Sequence, residues 1–145
     1  MGGGVRYLST LIDSSDDVIQ ADDLVQSFIV ACSDEDTDLT TGNNKCRIRL
    51  PYAFTLTAVR ASVNTAPTGS TISIQITEAG SDILSTPITI DASETTSVTA
   101  STPPVISDSS LADDSIIGFD LDQIGSSNAG KGLKVTLIGY KTTVG

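Results

Sequence analysis

The stretch Thr71-Ile72-Ser73-Ile74-Gln75-Ile76-Thr77 decides the fold class. Three isoleucines stand two residues apart with polar residues between them, the period of a strand that turns one face to a core. Their β-branched side chains also suit a pleated surface better than a helix. Working outward, the same period recurs: Phe28, Val30 and Cys32 alternate with Ser27, Ile29 and Ala31, and Cys46, Ile48 and Leu50 alternate with Arg47 and Arg49. Ile117, Phe119 and Leu121 form another such set, and Leu133, Val135 and Leu137 a last one, with shorter β-prone pieces at Ile83-Leu84, Ile88 to Ile90 and Ser97 to Ala100. About eight short strands separated by turn chemistry predict an all-β fold, an antiparallel β-sandwich of jelly-roll type. No fixed-period repeat is present.

Two local expectations follow from phase. In Phe54–Val63 the inward set begins as Phe54, Leu56 and Ala58 and shifts to Val59, Ala61 and Val63, which predicts a bulge near Ala58. The segments around Cys32 and Cys46 are expected to form a hairpin about the acidic loop, with Cys32 opposite Cys46, Val30 opposite Ile48 and Phe28 opposite Leu50. Turns are expected at Asn64 to Gly69 and at Gly80 to Asp82. The polar connection from Pro103 to Ser110 leaves room for one helical turn around Leu111 to Asp114.

At 145 residues the chain fits a single core. Residues 1–25 read as an extended N-terminal arm with three consecutive glycines and the acidic pairs Asp16-Asp17 and Asp22-Asp23, and residues 26–145 as the sandwich domain. A short helix opening at Ser14 or Ser15 is the alternative reading of the arm. No basic segment followed by an apolar stretch opens the chain, and no apolar run is long enough to span a bilayer, so neither an export signal nor a membrane partner is expected. Eight basic against eighteen acidic residues give a net charge of -10, which repels phosphate backbones and argues against a nucleic-acid partner.

The inventory for catalysis is short. Histidine is absent, which removes the usual general base near neutral pH and the commonest metal ligand. Gly125-Ser126-Ser127-Asn128-Ala129-Gly130-Lys131 has the spacing of a phosphate-binding loop, but Gly132 stands where Ser or Thr should bind magnesium. A strand, Leu133 to Ile138, follows where a helix should open, so the segment reads as a flexible hairpin loop. Asp34, Asp36 and Asp38 begin like a calcium loop, yet Leu39 replaces the turning glycine and Lys45 the bidentate glutamate. A solvated acidic loop is the simpler reading, with a looser calcium site as the alternative. Cys32 and Cys46 are either a disulfide or two small buried hydrophobes. Asp120, Asp122 and Glu78 are the carboxylates for acid–base work, but Asp120 and Asp122 share an outward face and read as ordinary hydrated groups. Without tryptophan, and with 4% aromatic residues, stacking platforms for glycans or single strands are lacking as well. Together these features predict a non-enzymatic chain that needs no cofactor and no metal.

From about Leu50 to Lys141 the chain resembles a module recurrent in virion proteins of tailed bacteriophages. The resemblance is carried by Leu50-Pro51-Tyr52-Ala53-Phe54-Thr55-Leu56-Thr57-Ala58-Val59-Arg60-Ala61-Ser62 and Thr65-Ala66-Pro67-Thr68-Gly69-Ser70. It continues through Ile83-Leu84-Ser85-Thr86, Pro104-Val105-Ile106-Ser107-Asp108 and Leu111-Ala112-Asp113-Asp114. It closes with Asp120-Leu121-Asp122-Gln123-Ile124-Gly125 and Gly132 to Tyr140. Such a resemblance implies an external part of a particle, either a capsid decoration (cement) protein or the terminal domain of a tail fibre. It brings no catalytic residues. In fibres the module ends a long chain, whereas here only the arm precedes it, which favours decoration.

What decoration implies is a virion protein on the outer surface of the capsid, bound to the major capsid protein and self-associating, with a trimer as one arrangement. The arm would grip neighbouring subunits, with Val5, Tyr7, Leu8, Leu11 and Ile12 as its anchors. The competing expectation is a receptor-binding module of a tail fibre or tail tip, using loops such as Thr65 to Ser70 and Gly125 to Gly132.

Overall fold

The alternating runs become strands because each can bury one face only against another sheet. The computed structural model describes residues 24–142. Its strands are β1 (Gln26–Ala31), β2 (Gly42–Arg49), β3 (Phe54–Ser62), β4 (Ile72–Glu78), β5 (Ser81–Asp82), β6 (Leu84–Thr86), β7 (Ile88–Ile90), β8 (Val105–Ile106), β9 (Ser110–Leu111), β10 (Ile116–Gln123) and β11 (Lys134–Lys141). Among the described residues there is no α-helix. One sheet has the order β1-β11-β3-β9 and the other β2-β10-β4-β5, with β7 also paired to β4; β6 and β8 form a small ribbon. Every strand pairing is antiparallel.

The two larger sheets contribute their inward residues to one core. Phe54, Leu56, Val59, Val135 and Leu137 come from the first, and Ile72, Ile74, Ile76, Ile117, Phe119 and Leu121 from the second. Each such side chain contributes roughly 1.5–3 kcal/mol by leaving water, so the core is the main source of stability. The fold is therefore an all-β sandwich, as the alternation of Ile72, Ile74 and Ile76 requires.

The bulge in β3 lies where the phase shift places it. Ile138 faces Ala58 and the next residue, Gly139, faces Leu56, which leaves Thr57 as the extra residue. Phe54 and Leu56 before it and Val59, Ala61 and Val63 after it are all buried. Gly139 lets β11 close on the bulged strand, since a Cβ there would lie 2.0 Å from the Thr55 carbonyl oxygen and 2.9 Å from the Phe54 ring.

Strand pairing departs from the expected hairpin. β1 pairs with β11, setting Val30 opposite Val135, and β2 pairs with β10, setting Cys46 opposite Phe119. The connection between β1 and β2 buries Leu39, whose N–H donates to the Gly130 carbonyl at 2.9 Å. Anchored in this way it passes from one sheet to the other instead of turning back within one, and hairpins in any case favour loops of about two to five residues. The segment Gly125–Gly132 is likewise no hairpin loop, because β10 and β11 belong to different sheets. Around Leu111 to Asp114 the chain forms β9 and a tight turn with Asp114 at φ 60°, not a helical turn. The strand count exceeds eight mainly because the chain after β4 is broken into short pieces. At Ala79-Gly80 both residues take positive φ, 49° and 87°, the backbone of a two-residue hairpin turn, and β5 returns along β4.

Between β5 and β7 the chain leaves the edge of β4, and a side chain fills the gap. Gln75 is only 8% exposed. Its Oε1 accepts the N–H groups of Ile76 at 2.9 Å and Leu84 at 3.2 Å, and its Nε2 donates to the Leu84 carbonyl at 3.0 Å.

Candidate functional site

The two loops singled out in the sequence meet at one end of the sandwich. Thr68 donates its N–H to the Asn128 carbonyl at 3.0 Å and accepts from Ser127 N–H at 3.0 Å, while Asn64 N–H donates to the Lys131 carbonyl at 2.8 Å. Glycine is required on both sides of this contact. A Cβ on Gly69, which has φ 87°, would lie 2.2 Å from Ser126 Oγ, and one on Gly125 would lie 1.8 Å from the Asn128 carbonyl oxygen. The loop from Gly125 to Gly132 is thus held by main-chain bonds, in contrast to the flexible connection expected. Ser93 N–H also donates to the Pro67 carbonyl at 2.7 Å, so a third segment joins the same end.

The acidic loop borders this cluster and is committed to its own structure. The Asp34 carboxylate accepts the N–H groups of Asp36 at 2.9 Å and Thr37 at 2.8 Å, and also the Thr37 hydroxyl. Those bonds favour the charged form and hold its pKa below the ordinary 3.8, the Thr37 hydroxyl having the largest effect. Asp38 lies 3.8 Å from Lys131 Nζ, and Glu35 pairs with Lys134. Among the described residues, no three Cys, Asp or Glu side chains converge as a metal site would need.

The expected carboxylate set is divided by the sandwich. Asp120 and Asp122 lie on the outward face of β10, Asp120 between buried Phe119 and Leu121 and Asp122 just beyond Leu121. Glu78 follows the inward phase of Ile72, Ile74 and Ile76, and its Oε2 accepts Ala112 N–H at 2.7 Å. Asp120 Oδ1 accepts Asn44 N–H at 2.8 Å, which fixes the left-handed Asn44 (φ 51°) in β2. Asp122 departs from the hydrated group expected: although its residue is exposed, partial desolvation first, and then the charges of Asp120 and Asp82, raise its pKa above 3.8.

Cys32 and Cys46 are both free thiols. Burial, with a smaller effect from Cys46, pushes the Cys32 thiol up to about 12, so it stays protonated and behaves as a small hydrophobe. Its Sγ lies 3.8 Å from the Val30 carbonyl oxygen.

The opposite end of the sandwich is where β1 begins. Gln26, the first residue of β1, pairs with Gly139 and takes a hydrogen bond from the Tyr52 hydroxyl. Lys141 Nζ lies 5.3 Å from the centre of the Tyr52 ring, and Phe28 packs edge-on against Phe54 with centroids 5.1 Å apart. The proposed anchors Val5, Tyr7, Leu8, Leu11 and Ile12 lie outside the described residues. Sequence reading missed the standing of β1 itself: it is an outer strand, and Ser27, Ile29 and Ala31 on it are exposed. Alternation marks those residues as outward, but only the sheet order shows that no strand among the described residues lies beside them.

By its fold and surfaces the chain is an all-β sandwich with a loop-built end and, among the described residues, an unpaired sheet edge at β1. Comparison with known proteins returns no matching family model, no similar curated protein and no similar solved structure.

Proposed function

We propose that this chain is a non-enzymatic structural protein of a tailed-phage virion, a capsid decoration protein that binds the outside of the head lattice. The observation that carries the reading is an all-β sandwich in which Glu78 stands on the opposite face of its sheet from Asp120 and Asp122, preceded by an arm sequence with the apolar residues Val5, Tyr7, Leu8, Leu11 and Ile12. The resemblance of Leu50–Lys141 to virion modules supports the same reading, and a charge of -10 suits a surface facing away from packaged DNA. In this role the arm adds main-chain and apolar contacts across the major capsid protein, and many copies on one lattice convert weak single contacts into stable occupancy. Self-association, as a trimer or another closed form, would raise that valency further.

A receptor-binding role at a tail fibre or tail tip is the second reading. It is favoured by the convergence of Thr65–Ser70 and Gly125–Gly132 at one end, since loops held on a rigid scaffold are where recognition residues concentrate. Quantitative mass spectrometry of purified particles separates the two. Decoration requires copies on the order of hundreds per particle through its occupancy of a lattice, and a tail-tip role only a few. Leu8→Asp with Leu11→Asp should abolish attachment to undecorated heads while the melting transition is unchanged; retained attachment would remove the arm from the mechanism.

A further inference from the structure

Four sheet edges end this sandwich, and three are guarded. Beyond β3, the two residues of β9 cover one end, while Val63 and Ala61 bond to Thr95 and Ser97 at the other. The edge at β5 and β7 is interrupted where Gln75 bonds to Leu84. The edge strand β2 carries Lys45, Arg47 and Arg49 and is bent at left-handed Asn44. Charges, breaks and bulges of these kinds are what keep sheet edges from pairing with other chains.

β1 has none of them. Its sequence, Gln-Ser-Phe-Ile-Val-Ala, holds no charge, no proline and no bulge, and it follows β11 in unbroken register over all six residues. The uncharged run extends from Leu24 to Ser33 in a chain of net charge -10. Cys32 N–H donates to the Leu133 carbonyl at 2.9 Å. By alternation Val30 and Phe28 also bond toward β11, and Ser27, Ile29 and Ala31 turn their N–H and C=O groups to the open side. Among the described residues no partner meets them. Ile29 is 70% exposed, the most exposed large hydrophobic residue described, and Leu24 and Val25 just before it are exposed as well.

We infer that the open edge of β1 is a self-association site that takes the β1 strand of a second copy, antiparallel, across a twofold axis through Ile29. The strand is complementary to itself in that register. Ile29 faces Ile29 of the second copy, Ser27 faces its Ala31, and Phe28 faces its Val30, so outward residues meet outward ones and core-side residues meet core-side ones. All three outward-turned backbone positions then exchange hydrogen bonds, and no charged residue opposes another within the strand. A copy of the same chain is favoured over its own N-terminal residues: Val5 to Ile12 would have to return through Asp13–Val25, longer than ordinary hairpin loops, and the nearer stretch Ser14 to Gln20 would set Asp16 and Asp17 along an uncharged strand. The product is a continuous eight-stranded sheet built from two four-stranded ones. Such an isologous pair is the commonest form of protein self-association. The inference does not depend on the virion role.

The full-length protein tests it by sedimentation velocity and cross-linking. Wild type should sediment as a dimer, and Ile29→Lys, at an exposed position that leaves the core untouched, as a monomer with an unchanged melting transition. Ile29→Cys should be joined into dimers by a short bifunctional thiol reagent, since paired Cα atoms across such a register lie about 5.5 Å apart. Ser27→Cys should not, because the two copies of residue 27 would stand roughly 13 Å apart along the strands. Wild type, treated alike, gives the background from Cys32 and Cys46. A monomeric wild type, or equal linking of the two cysteine variants, would overturn the proposal. So would dimers lost with Leu8→Asp but kept with Ile29→Lys, which would assign association to the arm.

Discussion

Gln75 does with one side chain what an unbroken neighbour strand would do with its backbone. Its amide satisfies the N–H groups of Ile76 and Leu84 and the Leu84 carbonyl at the place where β5 ends and β7 has not begun. Gln75→Leu keeps the volume and removes all three bonds, leaving buried backbone groups without partners. It is expected to cost on the order of 2 kcal/mol, read as a lower urea midpoint with unchanged slope. Two aspartates respond to acid in opposite senses. The depressed pKa of Asp34 means that its bonds to Thr37 and Asp36 stabilise the fold above pH 3.8 and are lost as pH falls through its lower folded value. The raised pKa of Asp122 means that its charge is a liability at neutral pH, relieved as pH falls through its folded value toward 3.8. Asp34→Ala should therefore lower the melting temperature at pH 7 and have little effect at about pH 2, while Asp122→Asn should raise it at pH 7 and lose that gain in acid.

At the scale of elements, β3 shows how far a single sequence can be read. The change from Phe54 and Leu56 to Val59 and Ala61 is visible without coordinates because a core face must stay apolar, and only an extra residue reconciles the two phases. That residue is Thr57, exposed and bonded through its hydroxyl to the Ile138 carbonyl at 3.2 Å. Thr57→Ser should change stability by less than about 0.5 kcal/mol. Deleting Thr57 should abolish the cooperative urea transition, because Phe54 and Leu56 would turn to the outward face together. Pairing was less legible. Phe28, Val30 and Cys32 match Cys46, Ile48 and Leu50 as well as they match Val135 and Leu137, since alternation records which face is buried and not which strand lies alongside. The long connection with its buried Leu39 was the available sign that β1 and β2 part company. For the same reason the loops Thr65–Ser70 and Gly125–Gly132 could be named from turn chemistry, but their meeting through Thr68 and Asn128 depends on a crossover between sheets.

For the whole molecule, the net charge of -10 and the open β1 edge pull in opposite directions. Two copies joined at β1 bring like charges together, although the strand that makes the contact carries none. Repulsion between them acts across solvent, over a screening length of about 30 Å at 0.01 M salt and about 8 Å at 0.15 M. The contact itself rests on backbone hydrogen bonds and on burial of Ile29, which salt at these levels hardly weakens. Dimerisation is therefore expected to strengthen as salt rises from about 0.01 to 0.15 M, with sedimentation equilibrium giving a lower Kd at the higher concentration. A contact held by pairing Arg47 or Arg49 with acidic groups of another copy would weaken instead, so the sign of the salt dependence separates the two edges. The same symmetry fixes where the two strands begin. The twofold axis of an antiparallel strand pair stands perpendicular to the sheet, so the two copies of Gln26, the first residue of β1, stand at opposite ends of the joined pair of strands.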